Sequence, residues 1–121
     1  MKNFGETIRE LRVAQNLGLR ETAAKVNISP TYLSRIERGK EYPPRPEVIK
    51  ELAHTLAADP DVLFRLSSST DPEIVTFLHD QPAVMNLLRS IKEAGLTNAE
   101  IEQLTDKAQE MKKLSRERNQ K

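Results

Sequence analysis

The chain has 121 residues, of which 37% are hydrophobic, enough for one domain, or one small domain with an appendage, and for a core without surplus. Nineteen basic and eighteen acidic side chains leave net +1, which taken alone argues weakly against a nucleic-acid partner. Cysteine is absent, which excludes disulfides, thiolate metal sites and cysteine nucleophiles. The two histidines, His54 and His79, are too few for a zinc ligand set, so no metal or cofactor is expected. No apolar run reaches the ~18 residues of a membrane span, and no secretory signal precedes the first helical pattern. The expected location is therefore cytoplasmic, with no membrane association.

Prolines mark where helices begin. Pro30, Pro46, Pro60, Pro72 and Pro82 each open an apolar-periodic stretch, where a missing N–H costs nothing and φ is already helical. Ser29, Asp59 and Asp71 stand just before three of them as N-caps, while Pro43 and Pro44 form an extended connector. Eight helices are predicted. The first covers residues 4–16, with Asn3 and Glu6 at capping-box spacing and Phe4, Ile8 and Leu11 on one face. The second covers 19–26 and turns Ala23 and Val26 inward. The third covers 30–38, capped by Ser29, stapled by Ile28 and Leu33, and closed by Gly39. The fourth covers 46–58 and buries Ile49, Leu52, Ala53 and Leu56. The fifth covers 60–66, with Leu63 and Leu66 inward.

Residues 67–70, Ser-Ser-Ser-Thr, form a polar break and the expected domain boundary. Beyond it the prediction places helices at 72–79 and at 82–94, the latter capped by Gly95. A last helix opens with Thr97 and Glu100 in capping-box register. Its apolar stripe is Ile101, Leu104, Ala108 and Met111, and the basic run from Lys112 onward is expected to fray. No strand pattern and no internal repeat is present.

Residues 17–40 carry the chemistry. Two short helices joined at Asn27-Ile28 have the proportions of a helix-turn-helix. Ala23 allows close approach, Asn27 tolerates a left-handed turn, and Leu33 and Ile36 anchor the second helix inward. Thr31, Tyr32, Ser34, Arg35 and Arg38 are left on or near the outer side, a set able to bond base edges and phosphates. Acidic residues sit among basic ones as solvated helix faces do. The four glycines form no phosphate loop, and no serine has a nucleophile-elbow setting, so no enzymatic activity is expected.

Leu11-Arg12, Ala23-Ala24-Lys25-Val26 and, most specifically, Leu33-Ser34-Arg35-Ile36-Glu37-Arg38-Gly39-Lys40 make residues 4–66 similar to the XRE/Cro/cI-like helix-turn-helix family of phage repressors and bacterial regulators. The resemblance implies a five-helix repressor-like DNA-binding domain over residues 1–66; residues 67–121 resemble no named family, and their own pattern makes them a three-helix carboxyl-terminal segment of an all-α chain. The resemblance implies that Thr31, Tyr32, Ser34 and Arg35 read bases in the major groove, with Arg35 suited to guanine. It further implies that Arg20, Arg38, Lys40 and Arg45 hold phosphates, and that Arg12 and Glu37 form a structural ion pair. Four positions depart from the family pattern. Gly18 stands at the second N-cap, Leu19 replaces a phosphate-clamping glutamine, Pro30 removes a donor, and Thr22 replaces a core leucine.

The function expected is a sequence-specific transcriptional regulator, a repressor, bound as a homodimer to palindromic double-stranded DNA. The alternative is a repressor-like adaptor or antitoxin-type partner with weak DNA binding, meeting a protein at the sixth to eighth helices. Charge is divided along the chain. Residues 1–66 carry net +2, 67–111 net −5 and 112–121 net +4. An acidic segment thus masks basic flanks, and the near-zero total points to a selective binder rather than a coating one.

Overall fold

The computed structural model describes residues 3–119, and among these the regular structure is entirely α-helical. The helices are α1 (Phe4–Ala14), α2 (Leu19–Lys25), α3 (Pro30–Glu37), α4 (Pro46–Thr55), α5 (Pro60–Ser67), α6 (Pro72–Asp80), α7 (Pro82–Ala94) and α8 (Asn98–Asn119). The capping side chains work as read from the sequence. Asn3 accepts from the Glu6 amide, Ser29 from that of Tyr32, Asp59 from that of Asp61 and Asp71 from that of Glu73. At α8 the capping box closes in both directions: the Thr97 amide donates to Glu100 at 3.0 Å and the Glu100 amide to Thr97 Oγ1 at 3.2 Å. Donation to the carboxylate, chiefly by the Thr97 amide and then by the Thr97 side chain, holds the Glu100 carboxyl below the ordinary glutamate value, while desolvation opposes the shift.

The chain divides into two compact units, Met1–Phe77 and Leu78–Lys121. In the first, α1 packs on α3 and α5, α2 on α3, and α4 on α5. One core results, built from Phe4, Ile8, Ala23, Val26, Leu33, Ile36, Ile49, Leu52, Ala53, Leu56, Leu63 and Phe64. The chain enters α5 at an angle that buries Leu63 and Phe64 and leaves Leu66 exposed, contrary to the inward place expected for Leu66. The fourth helix stops at Thr55, short of residue 58, because Ala57 takes a left-handed φ of 53°. The polar break lies just at the end of α5, where Ser68 is left-handed, but the division between units falls later, inside α6. Lys50 on α4 reaches Asp71 at 3.4 Å and Glu73 at 3.0 Å, which ties the start of α6 to the first unit. Its ammonium is held charged above the ordinary lysine value, chiefly by the bond to Glu73 and then by Asp71, while desolvation opposes the shift.

The second unit holds the end of α6 with α7 and α8. No residue of α6, α7 or α8 is buried. The basic run from Lys112 onward is helical through Asn119, and Gln120 and Lys121 lie outside the described residues. Lysine, leucine, arginine and glutamate favour helix, and Arg116 and Arg118 in the last turn complement the helix dipole.

Candidate nucleic-acid interface

The turn between α2 and α3 is made by backbone bonds and one left-handed residue. Asn27 has φ 58°, its amide bonds Ala24 O at 3.3 Å, and the Ile28 amide bonds Ala23 O at 3.0 Å. Asparagine takes this conformation at modest cost. Ala23 is fully buried in the crook, so nothing larger than a methyl keeps the helices apart. Leu33 and Ile36 then face the core, and the opposite side of α3 is presented outward.

Two devices hold α3 in place. The Arg12 guanidinium grips Glu37 as a fork, Nε to Oε2 at 2.8 Å and Nη2 to Oε1 at 2.9 Å, while Nη1 donates to the Leu17 carbonyl at 3.0 Å. The Glu37 side chain is 5% exposed and that of Arg12 14%, so the pair links α1 to the end of α3 under reduced solvent screening. The Glu37 hydrogen bonds, aided by its charge, raise the Arg12 pKa against the lowering effect of burial. The second device, which the sequence reading missed, is Gly5. A β-carbon there would strike the carbonyl oxygen of Ile36, so glycine is what lets α1 lie on the last turn of α3.

Of the base-reading candidates, Thr31 and Arg35 are exposed on the outer face and Ser34 is half-buried beside them. Tyr32 is also half-buried but packs against the core, so its ring is committed to the fold more than to the outer face. Arg35 is not a free cation: its Nε donates to Glu41 Oε2 at 3.3 Å. Arg38, just past α3, turns its Nε back to the Ser34 carbonyl at 3.4 Å. Lys40 is exposed in the following loop. Arg45 is exposed at the N-cap of α4, 4.0 Å from Glu47, and Arg20 is exposed in the first turn of α2. Thr31, Ser34, Arg35, Arg38 and Lys40 thus lie on α3 and the turn after it, whereas Arg20 and Arg45 flank that group from other helices.

The departures from the family pattern have plain structural consequences. Gly18 leaves the α2 N-terminus without a side-chain cap. Leu19 packs against the core instead of offering a polar group. Thr22 is fully buried and its Oγ1 has no hydrogen-bond partner. Among the described residues no cluster of His, Asp or Glu could hold a metal ion, and no helix is long and apolar enough to cross a membrane.

An exposed polar and basic helix face, set by a tight turn on a preceding short helix, defines a helix-turn-helix module. The helix-turn-helix domain family matches residues 3–66, and the chain belongs to it, as a member of the XRE/Cro/cI-like kind. Two Bacillus subtilis proteins are similar over 56 residues, or 46% of this chain. They are the uncharacterized HTH-type transcriptional regulator RghRB, 43% identical with 40% of its length matched, and the HTH-type transcriptional repressor RghR, 41% identical with 42% matched. The chain thus spans about two fifths of the length of these curated relatives. The crystal structure of the clp gene regulator ClgR from Corynebacterium glutamicum aligns with TM-score 0.48 and 25% identity, covering 75% of this chain and 88% of that one.

Proposed function

We infer that this protein is a sequence-specific DNA-binding transcriptional regulator, acting as a repressor, with α3 as its reading helix. The observation that carries the reading is the pairing of an anchored inner face with a presented outer one. Glu37 is locked to Arg12 while Thr31 and Arg35 stay exposed on the same helix. Rigid placement matters because base edges are read by hydrogen bonds that tolerate little displacement. Arg38, Lys40, Arg45 and Arg20 are the phosphate contacts that set register, and Thr31, Ser34 and Arg35 supply base readout. Tyr32 supports the turn and contributes at the margin of the groove. That the two similar Bacillus proteins are a transcriptional regulator and a transcriptional repressor supports this reading over the matched segment.

The reading includes a homodimer held by residues 67–121. Leu87 and Leu88 on α7 and Leu104, Met111 and Leu114 on α8 are all exposed, and no residue of either helix is buried. Most helical stability comes from packing an apolar face, so helices of this kind call for a covering surface. A second copy supplies it, and a dimer with two α3 helices suits a palindrome whose half-sites lie about one DNA turn apart. The test is selection of bound duplexes from a random DNA pool by the full chain, with the stoichiometry measured on the winning duplex. Enrichment of a palindrome bound by two chains is expected. Failure to enrich any sequence at low salt overturns the regulator reading in favour of a protein-binding adaptor, and a one-to-one complex with a non-palindromic site overturns the dimer.

A further inference from the structure

Arg35 is the one base-reading candidate engaged with an acidic side chain, and the local chain path explains how. Past the end of α3, Gly39 takes φ 71°, a conformation most residues avoid. This folds the loop back so that the Lys40 amide bonds the Arg35 carbonyl at 2.8 Å, and the next residue, Glu41, lies alongside the Arg35 side chain. The contact uses Nε alone, at 3.3 Å to Oε2. Neither Nη amino group has a hydrogen-bond partner among the described residues. Arg35 and Glu41 side chains are 49% and 37% exposed, so the pair stands at the surface that α3 presents. An ion pair this exposed contributes little to folding stability. It does two other things. It restricts the torsions of a long flexible side chain, and it engages Nε while leaving both Nη groups of a half-exposed guanidinium to other acceptors.

We propose that Glu41 is the positioning residue for Arg35. It holds the guanidinium so that the two Nη groups donate end-on to guanine O6 and N7, and it disfavours the competing pairing of Arg35 with backbone phosphate. The proposal rests on the reading of α3 as the recognition helix. The carboxylate acts in two ways. Pre-orienting Arg35 lowers the conformational entropy lost on docking. A negative charge beside the guanidinium weakens its attraction to phosphates, which carry no sequence information, while the directional bonds to guanine remain available. Glu41 thus raises discrimination at one base pair at the expense of general affinity, consistent with a domain of modest net charge.

The experiment measures dissociation constants of the full chain on the selected duplex, on the duplex with the Arg35-contacted guanine pair replaced by an adenine pair, and on an unrelated duplex. The wild type is expected to prefer the guanine duplex by roughly five- to 150-fold. Glu41→Ala and Glu41→Gln are expected to lower that preference at least about threefold and to tighten binding to the unrelated duplex. Glu41→Asp keeps the charge but withdraws the carboxylate by one methylene. It is expected to lose preference without gaining unrelated affinity, a split that a role of charge alone does not produce. In an Arg35→Ala background, Glu41→Gln is expected to leave the preference unchanged. The proposal is overturned if the Glu41 variants tighten all three duplexes by one common factor, or if Glu41→Gln still lowers the preference without Arg35. An Arg35→Ala variant that keeps full discrimination at every base pair refutes instead the role of Arg35 as a reader.

Discussion

Thr22→Val should make the first unit more stable, although it removes a polar group from an otherwise ordinary helix. Thr22 is fully buried in α2 and its hydroxyl has no partner, so folding strips water from a donor and acceptor and gives nothing back. An orphaned buried polar group costs about 1–3 kcal/mol. Valine keeps the branched shape and has nearly the same helix propensity, so little is lost in exchange. The expected gain is about 1–2 kcal/mol, which for a unit of this size raises Tm by roughly 4–15 °C. Both tyrosines, Tyr32 and Tyr42, lie in the first unit, and Tyr32 packs against its core. Tyrosine fluorescence during urea unfolding of the full chain therefore reports on that unit alone. The midpoint should move up by about 1 M with an unchanged slope. Thr22→Ser, which keeps the hydroxyl and deletes the methyl, should lose about 1 kcal/mol. A midpoint that stays or falls in Thr22→Val at constant slope refutes the account of an unpaired hydroxyl.

Gly5→Ala should cost about 2 kcal/mol despite the ~1 kcal/mol that alanine gains over glycine in a helix, because the new methyl meets the Ile36 carbonyl; a Tm equal to or above wild type contradicts that close approach. Lys40→Ala should weaken binding to every duplex alike and lower the slope of log affinity against log salt by about one, and an unchanged slope removes Lys40 from the phosphate contacts. For Glu100 the folded pKa is depressed, so its stabilising bond to the α8 cap is present above the ordinary glutamate value and lost as pH falls through the lower folded one. The Thr97 amide resonance should follow that titration, with a midpoint below that of an unstructured glutamate; a midpoint at or above it rules out the bond.

Elements built from neighbours in the chain are legible in the sequence alone. The starts of α1, α3, α5 and α8 follow from caps whose donor and acceptor are two or three residues apart, and such bonds form wherever the backbone turns helical. The helix-turn-helix was equally legible, since Asn27, Ala23, Leu33 and Ile36 each satisfy a requirement of the turn or of the inward face. Helix ends were less so. Ala57 in a left-handed conformation follows from where α5 must begin, and alanine gives no signal for it. The choice between Phe64 and Leu66 as the inward residue depends on how α5 lies against α1 and α4, and a short apolar stretch fits either rotation about its axis.

The sequence by itself determined that the chain is helical, that its helix-turn-helix lies in residues 17–40, and that a near-neutral total hides basic segments on either side of an acidic one. These follow from periodicity, turn chemistry and charge, which act over one or two turns of backbone. Tertiary structure alone decided how α3 is held and how its outer face is tuned. The fork from Arg12 to Glu37 spans 25 residues of chain, although the resemblance anticipated its partners. Gly5 is needed only because α1 crosses the end of α3, and the hydroxyl of Thr22 is stranded only because α2 is sealed against the core. Glu41 meets Arg35 only because Gly39 bends the loop back. Each of these depends on where separately formed pieces come to rest in space, and local preferences, which specify the pieces, do not contain that distance.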